Sequence, residues 1–178
     1  MWLALTLSAP LSCSQPEADP LDPAEVEAAA KDEGDATGTG RSGNYQLQLT
    51  GTPSCDCPMT SEIALCSVDL STLTVAGVAV TMTQSDGYLQ LSGVSTEGRV
   101  DLSGALEDSG EFALAGIYDL GNVLGEGNLY VRLDGRFTGP DEFTATLLDR
   151  AQGSYGDQSI DCRTEGEVLG KRLTLEVP

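Results

Sequence analysis

Leu89-Gln90-Leu91-Ser92-Gly93, Val100-Asp101-Leu102-Ser103-Gly104 and Phe112-Ala113-Leu114-Ala115-Gly116 repeat one phrase: an alternating triplet, a small residue, then glycine. Alternation with period two and one polar face is the mark of a strand in an antiparallel sheet, half buried and half solvated. The spacing of 11 and 12 residues between phrases is that of consecutive hairpins in a meander, with the recurring glycines placed where a sheet bends or bulges.

The same alternation runs outward from these phrases. Upstream lie Tyr45 to Leu49, Ile63 to Leu65 and Val78 to Met82; downstream lie Leu129 to Leu133, Phe143 to Leu147 and Leu173 to Val177. Ser85-Asp86-Gly87, Glu97-Gly98, Asp108-Ser109-Gly110 and Gly139-Pro140-Asp141 read as turns, in which glycine supplies positive φ. No apolar stripe of helical period interrupts the series. The expected fold from residue 44 to 178 is therefore all-β, about nine strands in one antiparallel meander. An even hairpin rhythm favours an up-and-down or partly closed barrel, with a β-sandwich as the alternative. The core is expected from Leu and Val, with Tyr45, Tyr88, Phe112, Tyr118, Tyr130, Phe137, Phe143 and Tyr155 as its few aromatics.

Residues 13–43 differ in composition. Eight carboxylates from Glu17 to Asp35 face only Lys31 and Arg41; Pro16, Pro20 and Pro23 fall in the same stretch, which holds almost no large apolar residue. Such a stretch buries too little surface to offset its ordering entropy, so it is expected to be a disordered acidic linker. One short helix is legible, with Asp22 as N-cap, Pro23 at N1, Glu25 at N3 and Val26 to Lys31 following. At about ten residues it would be marginal alone in water.

Ahead of the linker, Trp2 to Leu11 is uncharged and apolar. It is shorter than the roughly 20 residues a spanning helix needs, but fits the apolar region of a signal peptide over residues 1–12. With Leu11-Ser12-Cys13 behind it, the segment resembles, in part, the leader and acceptor cysteine of small bacterial lipoproteins. The resemblance implies cleavage before Cys13 and acylation of that residue. Ser14 in the following place implies delivery to the outer membrane or cell surface; a secreted or periplasmic protein is the alternative. The barrel resembles lipocalins in strand rhythm only.

The remaining cysteines, Cys55, Cys57, Cys66 and Cys162, are even in number in a chain read as exported, so two disulfides are expected. Bridging Cys55 to Cys57 strains the bond. One of that pair therefore joins Cys66 and the other Cys162; Cys57–Cys66 with Cys55–Cys162 is the favoured arrangement. Either way a long-range bond ties the turn after the first strand to one of the last strands, which supports closure. A four-sulfur zinc site lacks the usual paired spacing.

The chain has no histidine, which removes the commonest general base and the nucleophile–His arrangements. Asp101, Glu107, Asp108, Glu111, Asp119, Asp134 and Asp149 are expected as solvated carboxylates at turns or on polar strand faces, and no catalytic residue is assigned. No phosphate loop or other cofactor motif is present. The net charge of −19 argues against nucleic acid and anionic lipid surfaces. Asp141-Glu142 and Asp157 with Asp161 are the nearest to calcium ligands, but do not match a calcium loop; no metal is assigned. The expected role is a non-enzymatic interaction or structural module of the cell envelope, membrane-held through Cys13, with an unknown envelope protein as partner. The alternative is a carrier of one small hydrophobic ligand. A filled or hollow barrel interior separates the two.

Overall fold

A computed structural model describes residues 18–57, 79–94, 99–121 and 126–173. Eight strands close into an antiparallel barrel in sequence order: β1 (Gly43–Asp56), β2 (Ala79–Ser85), β3 (Tyr88–Val94), β4 (Arg99–Leu106), β5 (Glu111–Asp119), β6 (Glu126–Phe137), β7 (Glu142–Tyr155) and β8 (Gln158–Arg172). The up-and-down barrel expected from the meander is thus the fold, and the sandwich is excluded. Closure is made by β1 against β8, from Tyr45↔Arg172 to Asp56↔Arg163, with one irregularity between Thr50 and Ser54.

The register explains the packing. Tyr45, Leu47, Val80, Met82, Leu89, Leu91, Leu102, Leu114, Leu133, Leu147 and Val168 all belong to one buried cluster, while intervening residues such as Gln46, Gln48, Thr81, Thr83 and Gln90 are exposed. Apolar residues fill the inside and polar residues coat the outside. That is the reverse of a barrel whose outer wall faces lipid.

Ser85-Asp86-Gly87, Asp108-Ser109-Gly110 and Gly139-Pro140-Asp141 fall at the three hairpins of one end, called here the lower end, where Asp86 (φ 52) and Gly110 (φ 84) are left-handed. Glu97-Gly98 and the strand expected over 63–65 lie outside the described residues, as do residues 174–178. β8 is a strand the alternation did not reveal. Its inward positions include Thr164, Gly166 and Gly170, too small or polar to mark an apolar face. Larger neighbours fill the space: a methyl group on Gly170 would overlap the Phe143 ring, and one on Gly166 would press on Leu49.

The two halves of the barrel are unequal. β1, β6, β7 and β8 run to 12–15 residues, β2 to β5 only to 7–9. The long strands extend past the short ones at the upper end.

The acidic stretch departs from expectation over its described part. Residues 18–42 are not a solvated tether; they form a strap packed on the barrel. Helix α1 (Pro23–Ala29) starts as the sequence predicts, with the Asp22 carboxylate accepting from Ala24 N at 2.9 Å and Pro23 in the first turn. Its few apolar residues suffice because they converge. Leu21 and Val26 are buried with Ala115 and Tyr130 on the outer wall, beside Leu148. Gly104 of β4 permits the approach: a side chain there would overlap the Ala113 carbonyl and lie 2.7 Å from that of Ala29.

Candidate functional site

The lower end is sealed from inside and below. Tyr45, Phe112, Phe137 and Phe143 stack with centroids 5.3–6.4 Å apart, in tilted and edge-on geometries that suit the ring quadrupole. The strap passes beneath them and inserts Ala36 into the barrel core. Gly34 N donates to the Gly87 carbonyl at 3.0 Å and Ala36 N to that of Leu106 at 3.1 Å, so the strap backbone completes the sheet edge.

Gln84 is the polar key to this seal. It points inward from β2 and is 4% exposed. Its Oε1 accepts from Arg41 N at 2.8 Å, and its Nε2 donates to the carbonyls of Thr37 and Asp86 at 3.4 and 3.1 Å. A buried amide must be paired, and here the strap supplies two of the three partners. Arg41 then lies 4.3 Å over the Phe137 ring and donates to the Gly139 carbonyl at 2.7 Å. The Tyr45 hydroxyl is satisfied by the Arg41 carbonyl (3.1 Å) and the Arg172 guanidinium (2.9 Å).

At its other extremity the strap is latched to the outside of β7 and β8. Asp19 takes two bonds from Arg163, at 3.2 and 2.5 Å. Arg150 holds Asp161 in the same bidentate way, at 2.7 and 2.6 Å, with Asp19 3.7 Å distant. The Arg163 hydrogen bond holds the Asp19 carboxyl below its usual range, and Arg150 does the same for Asp161.

The upper end carries different chemistry. Asp149 projects into the barrel between Val131 of β6 and Thr164 of β8. It is 2% exposed, and its Oδ1 has no hydrogen-bond partner. Burial pushes its carboxyl up to about 7, against a smaller opposing effect of the Thr164 hydroxyl. The solvated carboxylate expected here is therefore incorrect. Asp149 continues the inward series Phe143, Ala145, Leu147, and parity along β7 was the available signal.

Beside it the β4–β5 ladder stops at Ser103↔Ala115. The Tyr118 hydroxyl bridges the parting strands, accepting from Asp101 N at 2.9 Å and donating to Asp101 O at 2.8 Å. Burial raises this hydroxyl to about 12, so it stays protonated.

Above Asp149, Cys57 is bonded to Cys162, 105 residues apart, and packs with Ile160 and Leu120. The favoured arrangement placed Cys55 on Cys162; the barrel joins Cys57 instead. Cys162 is buried on the inward face of β8, opposite Ala151, whereas Cys55 is exposed beside Thr164. Cys55 is disulfide-bonded as well. Cys66 and Cys13 lie outside the described residues.

The other candidate carboxylates do not converge on one site. Asp101 pairs with Arg99 (2.5 Å), Glu111 with Arg136 (3.9 Å) and Asp134 with Arg132 (2.8 Å), while Asp119 accepts from Gly121 N. Asp141 and Glu142 are engaged by Arg172 (3.3 Å) and Lys171 (3.4 Å), and Asp157 stands exposed on the β7–β8 turn. Glu107 and Asp108 do meet: both contact Asp35 of the strap, through Glu107 Oε2 to Asp35 N (3.3 Å) and Asp108 N to Asp35 Oδ1 (2.7 Å). Sharing with Asp35 raises the Glu107 carboxyl. Among the described residues no group of three or more His, Cys, Asp or Glu is placed to hold a metal. Neither a family model nor a curated protein matches the chain.

Proposed function

We propose that this chain is an exported, lipid-anchored and non-enzymatic protein whose barrel is an interaction or structural module of the cell envelope, held at the outer membrane or cell surface through Cys13. The observation that carries module over carrier is the filled interior. Leu47, Leu91, Val100, Leu102, Leu133, Leu147 and Val168 surround a cavity of about 10 Å³. That is the size of one water, whereas small-molecule sites occupy roughly 300–1,000 Å³. The sealed lower end supports the same reading. The Cys57–Cys162 bond supports an oxidising compartment, and candidate carboxylates that do not converge on one site, with Asp101, Glu111 and Asp134 paired to arginine, support a non-catalytic role.

A carrier of one small hydrophobic molecule is the competing reading, since eight strands is the number at which a barrel just encloses such a ligand. Mass spectrometry of protein purified from its native envelope tests both. Under denaturing conditions the mature chain is expected to begin at an acylated Cys13. Under native conditions the expected mass is that of the acylated chain alone. A retained small molecule would replace module by carrier, and an unmodified Cys13 would remove the anchor.

A further inference from the structure

The strap leaves the barrel at its upper end, and this fixes how an anchored chain would stand on its membrane. Asp19 is held by Arg163, whose register partner Asp56 is the last residue of β1, next to the Cys57–Cys162 bond. The strap therefore runs the height of the barrel wall, from Gly43 at the lower end to Asp19 at the upper. Asp19 follows Cys13 by only six positions, a reach of at most about 21 Å. As a free coil the same 30-residue linker would average about 30 Å between its ends and extend to roughly 100 Å.

We propose that the docked strap acts as a short mooring line, which sets the upper end of the barrel against the lipid surface. It turns the lower end, with its aromatic seal and the β2–β3, β4–β5 and β6–β7 turns, toward the aqueous compartment. This rests on the reading that Cys13 is acylated. The apposition is mechanical, because an acidic barrel gains nothing from anionic headgroups. Its strength is that of the strap: Leu21 and Val26 in their wall groove and the Asp19 latch.

The test uses the acylated protein, purified from membranes and inserted into phosphatidylcholine vesicles carrying an acceptor dye on a fraction of headgroups. A donor is attached through one unnatural residue, either at Asp157 in the upper turn or at Pro140 in the lower, both exposed. Energy transfer to the headgroups is expected to be several-fold higher from position 157. In Val26→Asp, which releases the strap, the two positions are expected to approach each other. Asp19→Ala with Leu21→Ala gives a milder release that leaves the barrel untouched, and circular dichroism verifies the sheet in each. Equal transfer from both positions in the wild type, with Cys13 acylated, overturns the orientation and leaves the anchor standing. An unmodified Cys13 overturns both.

Discussion

At the lower end four aromatic rings and a strap close the barrel, and the buried amide of Gln84 and hydroxyl of Tyr45 find partners there. At the upper end the Asp149 carboxyl is buried with one oxygen unpaired, the β4–β5 ladder parts around Tyr118, and a disulfide joins the end of β1 to β8. Rings and paired polar groups stabilise by burial and need no covalent help. A buried carboxyl costs free energy, and a crosslink offsets such a cost by restricting the unfolded chain. The lower end is held by packing and the upper end by a bond.

Removing the bond is the harshest way to break this contrast. Cys57→Ser with Cys162→Ser opens a loop of 105 residues, and a loss of about 4–5 kcal/mol is expected from urea unfolding. Amide exchange should speed up first at the upper parts of β1 and β8. If the lower end loosened equally, the two ends would not be distinct.

Phe143→Ala attacks the other end. The ring is fully buried against three aromatic neighbours and covers Gly170, so a cost of about 3–4 kcal/mol is expected by the same unfolding measurement. Reduction of the disulfide should add to this loss almost independently, because the sites lie at opposite ends.

Asp149 gives the contrast a pH signature. Its folded-state value near 7 lies above the ordinary 3.8. Between those values the unfolded chain has released its proton while the folded chain retains it, so this group lowers stability as pH rises from about 4 to 7. Above 7 both states are ionised and the slope vanishes. Asp149→Asn removes the effect, and at pH 8 a gain of roughly 2–4 kcal/mol over the parent is expected, shrinking toward zero near pH 4. A pH-independent difference between the two proteins would show that Asp149 titrates normally.

The smallest effect sharpens the role of the strap. Asp22→Ala removes the cap of α1 and is expected to cost about 1 kcal/mol, read as faster amide exchange in the strap. Exchange in β6 and β7 should remain unchanged, since barrel closure does not depend on the cap.

Alternation made seven of the eight strands legible, because one inward face was apolar and the next outward residue polar. β8 escaped because its inward Thr164, Gly166 and Gly170 are complements to larger partners, and complementarity is a property of pairs of strands. The α1 cap was legible from Asp22-Pro23, since capping is local chemistry. That α1 is docked was not. Two apolar residues in an acidic run signal nothing until Ala115, Tyr130 and Gly104 are brought together to receive them. Asp149, by contrast, was legible: its parity with Phe143, Ala145 and Leu147 along β7 already turned it inward, though a carboxylate is ordinarily solvated.

The order of residues by itself determined the class of fold, the turns of the lower end, the exclusion of histidine chemistry and the presence of a long-range disulfide. These follow from local periodicity, φ preferences and composition. Only the tertiary structure decided closure in sequence order, the choice of Cys57 over Cys55 and the docking of residues 18–42. Each of these depends on which surfaces, distant in the chain, meet when the sheet curls upon itself, and a one-dimensional pattern carries no record of that meeting.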